Sequence, residues 1–220
     1  TLWSADRSIF GESNPAAVEH NTEVFGFYAD LGSHLDMLHE SPYCMGIAWE
    51  TENVYWVFDG DDGTLVRYDF GEDHDVGYDD HSDGIISRHV DAQVSRVEDV
   101  PSHMFLDQAT GYLYTADTGN NRIMVLDTAS GEEGDRLQSV EPGVYHHEVE
   151  GTDTWTLIDG AEMGIGYPSG LTIVEDTILV TDYATGNIFA FDLDGNLIDW
   201  MATGLELSLI HISEPTRRSY

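Results

Sequence analysis

An all-β fold is predicted by three stretches of the sequence that share one pattern. Each stretch contains three short runs rich in β-branched and aromatic residues, separated by residues typical of turns. In each stretch one aspartate ends the second run, and another, ten positions later, ends the third. A proline precedes each stretch, at Pro42, Pro101 and Pro168. We therefore expect three repeated modules of antiparallel β-strands.

The apolar runs also predict where the strands of each module lie. The predicted strands are 47–49, 54–59 and 65–69 in the first module, 104–107, 112–117 and 122–127 in the second, and 171–174, 178–182 and 187–192 in the third. Tight turns are expected between the second and third strands, because the Gly and Asn residues there tolerate a positive φ. We expect Asp59, Asp117 and Asp182 to accept hydrogen bonds from the turn amides rather than to bind a metal ion.

Two insertions separate the modules. Asp59 and Asp117 lie 58 positions apart and Asp117 and Asp182 lie 65 apart, whereas a repeat of four strands typically takes about 40 to 50 residues. The excess is expected in the polar tracts 71–87 and 131–152, which we predict to be irregular. Residues 93–97 alternate between apolar and polar side chains, which predicts an outer strand.

The turn of the second module carries a resemblance to a known family. Ala116-Asp117-Thr118-Gly119-Asn120-Asn121-Arg122-Ile123, preceded by Pro101 and the strand 104–107, resembles the NHL repeat of β-propellers. The third module shares part of the pattern in residues 168–171 and 181–182, and the first has Asp62-Gly63 instead of the Asn-Asn pair. The three modules together cover about half of the chain.

This resemblance implies an all-β, partial β-propeller of NHL type, built from four-stranded antiparallel blades around a central channel. A propeller removes its sheet edges by closing the ring, and the sequence shows three modules, with residues 1–30 a candidate for part of a fourth. We therefore expect residues 1–206 to be an incomplete propeller domain. The alternative architecture is a smaller closed β-sheet protein with three hairpin-rich units.

The end of the chain is expected not to be biological. Residues 207–217 resemble the translation of an adapter used in sequencing libraries, as in a fragment from a metagenomic read. We therefore predict that 207–220 is an adapter-derived tail and exclude it from fold reasoning. The alternative is a genuine short tail.

The charge of the chain narrows its partners. There are 42 acidic residues against 8 arginines and no lysine, giving a formal net charge of −34. Such a chain repels phosphate backbones and anionic lipids, so we expect neither nucleic acid nor a membrane surface as a partner. The apolar runs are too short to span a bilayer. Salt screens the self-repulsion of acidic proteins in a saline exterior, which favours an extracellular or periplasmic location.

His103 is the first candidate metal ligand. It follows Pro101 at the start of a first strand. The resemblance to propeller lyases of the amidating type, which hold zinc with histidines at comparable strand starts, implies a zinc ligand at this position. His103 stands one residue later than in those enzymes, and the other two modules lack the histidine. The alternative is a channel-lining or hydrogen-bonded histidine.

A second candidate metal site lies in the first insertion. It comprises His74, Asp79, Asp80, His81 and Asp83. Clustered carboxylates suit Ca²⁺, and mixed imidazole and carboxylate groups suit a transition metal such as Zn²⁺. Because no recognised ligand spacing is present, a solvated acidic loop is the alternative.

Tyr145 and His146, in the second insertion, are candidate ligand-binding residues, with a wet surface loop as the alternative. Taken together, the sequence predicts a propeller scaffold that binds a small molecule, a peptide or a protein at the mouth of its channel. The alternative function is a metal-dependent propeller enzyme similar to amidating lyases or lactonases, with Zn²⁺ or Ca²⁺ as cofactor. A purely structural repeat domain is a third possibility.

Overall fold

The computed structural model describes residues 2–4, 36–72 and 81–204. Within these ranges the protein is all-β, apart from one single-turn helix and one 3-10 turn. The first two strands, β1 (Leu2–Ser4) and β2 (Asp36–Leu38), pair antiparallel in a two-stranded sheet. The predicted tail 207–220 and almost all of the candidate fourth module in 1–30 lie outside the described residues.

The first sheet has six strands. In spatial order they are β10 (Glu132–Arg136), β11 (Tyr145–Glu150), β6 (Ile85–Gln93), β5 (Thr64–Asp69), β4 (Val54–Asp59) and β3 (Gly46–Thr51). Strands β11 and β6 run parallel, whereas β4, β5 and β6 form an antiparallel meander and β10 pairs antiparallel with β11. The hairpin of the second insertion thus extends the sheet of the first module.

The second and third sheets each have four antiparallel strands. The second contains β7 (Met104–Asp107), β8 (Tyr112–Asp117), β9 (Arg122–Asp127) and β12 (Thr154–Asp159), in the spatial order β12-β9-β8-β7. The third contains β13 (Pro168–Val174), β14 (Thr177–Asp182), β15 (Asn187–Asp192) and β16 (Leu197–Ala202), in chain order. The single-turn helix α1 (Gly160–Met163) joins the two sheets.

The three predicted strands of every module are present, and those of the second module begin and end at the predicted residues. The predicted outer strand at 93–97 is wrong. The fourth strand of the first module is Ile85–Gln93, and of residues 94–97 only Val97 makes an isolated bridge, to Val100. The insertions are also more regular than predicted, because β6 begins within 71–87 and β10 and β11 occupy much of 131–152.

The chain divides into two compact units. The first holds Ala48–Gln93 and Gly131–Thr152, together with the part of the chain before Met45. The second holds Met45–Ile47, Val94–Ser130 and the part of the chain from Asp153 onward. The first unit therefore carries the six-stranded sheet except for the start of β3, and the second unit carries both four-stranded sheets.

Each unit has an apolar core of its own. In the first unit one face of the sheet buries Val57, Val66, Tyr68 and Ile86, among others. In the second unit one face of the second sheet packs against one face of the third. This core comprises Tyr114, Ala116, Ile123, Val125 and Ile158 of the second sheet, Leu171, Ile178, Val180, Phe189 and Phe191 of the third, and Ile165 between them. Burying such side chains stabilises each unit by about 1.5–3 kcal/mol per residue.

The turns explain part of the acidity of the chain. Strand-ending aspartates accept a hydrogen bond from the amide two residues later, in Asx turns. This bond is made by Asp59 to Asp61, Asp69 to Gly71, Asp107 to Ala109, Asp127 to Ala129, Asp159 to Ala161, Asp182 to Ala184 and Asp192 to Asp194. The predicted structural role of Asp59 and Asp182 is confirmed. Asp117 instead accepts from the amide of Ser95 and from the side chains of Asn120 and Arg122.

The tight turns between second and third strands use the predicted backbone conformation. Gly63, Asn121 and Gly186 lie four residues after the strand-ending aspartate, and their φ angles are +67°, +53° and +69°. Only residues that tolerate the left-handed region adopt such angles at low cost. The Asn of the second module and the Gly of the other two are therefore equivalent, although the sequences around them differ.

Among the described residues, no helix has the length and hydropathy that crossing a bilayer would require.

Candidate functional site

The beginnings of the three first strands meet through main-chain hydrogen bonds in the second unit. The amide of Ser102 donates to the carbonyl of Met45 over 3.1 Å, and the amide of His103 donates to the carbonyl of Ser169 over 2.9 Å. Gly46 lies so close to this junction that an added Cβ would sit 1.9 Å from the carbonyl oxygen of Ser102. We call residues 45–46, 101–103 and 168–170 the strand-start cluster.

Buried hydroxyl groups hold the strand-start cluster together. Thr118 Oγ1 donates to the carbonyl of Pro168 over 2.7 Å and lies 2.7 Å from Ser102 Oγ. The amide of Gly170 donates to Thr181 Oγ1 over 2.8 Å. All three hydroxyl-bearing side chains are almost completely buried. They satisfy main-chain groups that would otherwise be costly to bury, so the cluster is rigid.

His103 stands at the centre of the cluster and is half-buried. Its carbonyl accepts a hydrogen bond from the amide of Ala116 over 2.9 Å, while its amide is bound to Ser169. The main chain of this residue is therefore fixed on both sides. Its imidazole is the one ionisable side chain in the strand-start cluster, and it supplies both a hydrogen-bond donor and an acceptor when neutral.

The predicted metal ligands are not brought together by the described part of the chain. His74, Asp79 and Asp80 lie outside it. Asp83 accepts a hydrogen bond from the amide of Glu72 over 2.8 Å, and an added Cβ on Gly71 would meet its carboxylate at 2.3 Å. The carbonyl of His81 accepts from Gly84. Over residues 2–4, 36–72 and 81–204, no three His, Cys, Asp or Glu side chains are grouped so that they could hold a metal ion.

An acidic cleft lies at the same end of the first sheet as Asp83. Its volume is about 470 Å³, and it is lined by Glu52, Asn53, Gly71 and Glu72. The amide of Phe70 donates to the carbonyl of Asn53 beside it. Two carboxylates on the lining favour cations over anions, but this pair alone does not make a ligand set.

Tyr145 and His146 lie next to each other on β11, so their side chains point to opposite faces of the sheet. The hydroxyl of Tyr145 donates to Glu133, and this hydrogen bond raises the pKa of Tyr145. The guanidinium of Arg136 lies 5.0 Å from the centre of the Tyr145 ring. His146 is buried, with Nδ1 2.9 Å from the carbonyl of Gln138. The alternative of a wet loop is wrong, because these residues form a strand.

Sequence reasoning missed a row of polar side chains across the first sheet. Register places Trp56 opposite Arg67, Arg67 opposite Ser87, and Ser87 opposite His147. Glu50 joins this row, because its carboxylate accepts from Trp56 Nε1 over 2.6 Å and from Arg67 Nε and Nη2 over 2.8 Å each. Burial acts to raise the pKa of Glu50, but the hydrogen bonds and charge of Arg67 outweigh it and lower the pKa. We call these five residues the polar row.

Two buried histidines border and complete the polar row. His147 Nε2 lies 3.3 Å from Ser87 Oγ, and His89 Nδ1 lies 2.9 Å from Thr152 Oγ1. The His89 ring packs against Trp56 with 4.7 Å between centroids. Burial lowers the pKa of His89 to about 4 and also lowers that of His147. Both imidazoles are therefore neutral at pH 7 and act as hydrogen-bonding members of the sheet.

No local sequence signal could have found the polar row. Each strand contributes only one or two of its members, and Ser87 and His147 are 60 positions apart. The row becomes visible only when the register of the strands is known. Within it there is neither a nucleophile next to a general base nor a metal-binding group, so its chemistry is that of a hydrogen-bonded network.

Comparison with known proteins adds little. No protein-family model matches the chain, and no curated protein matches it. Among solved structures, the chain is similar to the crystal structure of a nidogen/laminin complex, with 14% sequence identity over 74% of this chain and 81% of that chain. The TM-score of this match is 0.25, which is too low to support an argument about fold or function.

Proposed function

We propose that the chain is part of a β-propeller of NHL type, and that it binds a small molecule, a peptide or a protein at the channel mouth formed by the strand-start cluster. The observation that carries this proposal is the pair of main-chain hydrogen bonds that join Met45 to Ser102 and His103 to Ser169. In a ring of sheet modules the first strands surround the axis, so their beginnings are expected to lie side by side.

The internal order of the sheets also supports the propeller. The second and third sheets are four-stranded and antiparallel, and β3 to β6 repeat the same pattern at the edge of the first sheet. The Asp-turn-strand unit recurs with the same left-handed residue at Gly63, Asn121 and Gly186. A repeat that preserves a strained backbone position in each copy is what stacked modules of one type require.

The side chains of the strand-start cluster suit a binding mouth. Its main-chain groups and hydroxyls bind one another, so a ligand would be recognised chiefly through the half-buried imidazole of His103. The net charge of −34 disfavours nucleic acid and favours neutral or cationic ligands. The same charge supports a saline, extracellular or periplasmic setting.

The experiment is a ligand-detected NMR screen of the purified chain against a library of small neutral and cationic amine and amide fragments. We expect fragments that shift the His103 imidazole resonance to bind about tenfold more weakly to His103→Ala, a loss of about 1.4 kcal/mol. His81→Ala is the matched control, because His81 lies away from the strand-start cluster, and it should bind as the unmodified chain does. Absence of any fragment that shifts His103, or equal binding to both variants, would contradict the proposal.

The metal-dependent enzyme would need further ligands around His103. Since the described residues offer no group of three metal ligands, we prefer the binding scaffold. Titration with Zn²⁺ and with Ca²⁺ separates the two functions. Stoichiometric binding of either ion that is lost in His103→Ala would favour the enzyme instead.

A further inference from the structure

The third sheet has one covered face and one open face. Side chains that alternate with the core residues of β14, β15 and β16 form the face opposite the core, which we call the back face. It comprises Leu179, Ile188 and Ala190, which are partly exposed, and Met201, which is 58% exposed and pairs with Ile188. A surface of adjoining apolar side chains on a regular sheet is typical of an interface.

The same positions are closed in the second sheet. By the alignment of the modules, Tyr114 is equivalent to Leu179, Ile123 to Ile188, and Val125 to Ala190. All three residues of the second sheet are at least 95% buried, because the third sheet lies on them with Phe189 and Phe191. The opposite face of the third sheet, which supplies those phenylalanines, is its front face. The second unit thus contains a worked example of front-to-back packing.

Charge disfavours a second copy of this chain on the back face. Asp199 pairs with Ala190 in the sheet and therefore shares the back face. Two back faces related by a two-fold axis would place two such carboxylates against the same apolar patch. Each copy would also add a net charge of −34 to the complex. Uncompensated like charges at an interface oppose association.

We propose that the back face of the third sheet is a docking surface for the front face of a further four-stranded module of the same repeat, supplied by a longer form of this polypeptide. The occupant carries an apolar, aromatic-rich front face like that formed by Phe189 and Phe191. Large rings from such a face fit beside the small Ala190, as they fit beside Ala116 in the second sheet. This inference deepens the propeller interpretation, but it rests on sheet packing and stands even if the strand-start cluster binds no ligand.

The test measures how fast a thiol placed on the back face reacts. In a Cys44→Ser background, which removes the exposed native thiol, Ile188→Cys reports on the back face and Ile198→Cys is the exposed control. The chain is then lengthened by inserting a second copy of residues 166–204 after Gly204. A matched chain carries the same copy with serine in place of both front-face phenylalanines.

We expect the intact copy to slow the reaction of Ile188→Cys with iodoacetamide about tenfold, whereas the serine copy leaves it unchanged. The reaction of Ile198→Cys should stay fast in every chain. Equal rates with both copies would overturn the proposal. So would an intact copy that stays unfolded by circular dichroism, since a fitting module folds on the face. A protected thiol in an unextended chain that sediments as a dimer would assign the face to a second copy instead.

Discussion

The two compact units bury the aspartate that ends a second strand in different ways. In the first unit Asp59 is completely buried against Arg88, whose Nη1 lies 2.7 Å from its carboxylate. In the second unit Asp182 is equally buried, but it accepts hydrogen bonds from three main-chain amides and from the hydroxyl of Thr185. One position in a repeat can thus be satisfied by a charged partner or by the turn itself.

The contrast extends to the rest of each unit. The first unit buries His89 and His147 beside the polar row, whereas the core shared by the second and third sheets is made of apolar side chains. Charged and titratable groups inside a protein are stable only while their partners and protonation states are kept. We therefore expect the first unit to respond to loss of a charged partner and to pH, and the second unit to respond much less.

The largest effect is expected from removing the cation of the first unit. Arg88→Met should lower the free energy of unfolding by about 3 kcal/mol, because Asp59 is left as a buried carboxylate without its ionic partner. Urea denaturation followed by circular dichroism measures the loss. Arg122→Met is the matched change in the second unit, and about 1 kcal/mol is expected because Asp117 keeps its hydrogen bonds to Ser95 and Asn120.

Equal losses in the two variants would show that the units do not differ in this respect. Adding Asp59→Asn to Arg88→Met should restore part of the stability, because a neutral amide tolerates burial better than an unpaired carboxylate.

The next effect is a dependence of stability on pH. Burial holds the pKa of His89 at about 4, below the value of 6.5 for a free histidine, so the unfolded chain binds the proton more readily. Stability from this group is complete above about pH 6.5 and is lost as the pH falls toward 4, by about 2 kcal/mol. Denaturation curves between these pH values measure it.

His89→Asn should flatten this part of the curve, since asparagine can keep a hydrogen bond to Thr152 without titrating. The difference in unfolding free energy between the two proteins should therefore shrink as the pH falls. A difference that stays constant with pH would contradict a neutral, buried His89.

The smallest effect concerns the left-handed turn residue. Gly63→Ala should cost about 1 kcal/mol, because alanine is strained at a φ of +67°. Asn121→Gly, at the equivalent position of the second unit, should change stability by only a few tenths of a kcal/mol, since both residues tolerate this conformation. Melting temperatures of the two variants measure the difference, and a neutral Gly63→Ala would mean that the first turn relaxes.

Sequence reasoning succeeded where the signal is local. The strands of the second module, such as Tyr112–Asp117, follow from short runs of β-branched and aromatic residues bounded by Asp and Gly. It failed at β6, where Ser87, Arg88 and His89 are buried polar residues whose partners lie on other strands. A strand of this composition lacks the apolar alternation that would reveal it.

The candidate site divides in the same way. His103 was found because it follows a proline at a repeated strand start, which is a feature of the sequence alone. That its amide binds Ser169, and that Ser102 binds Met45, required the packing of strands from different modules. The polar row could not be predicted, because strand register decides which side chains share a face.

The sequence by itself therefore determined the strands, the Asx turns and the left-handed positions, since these depend on residues within a few positions of one another. Only the tertiary structure decided that β11 lies parallel to β6, that β12 completes the second sheet after the intervening hairpin, and that one face of the third sheet stays open. These pairings join residues tens of positions apart. They are selected by burial and register of whole sheets, which no local pattern encodes.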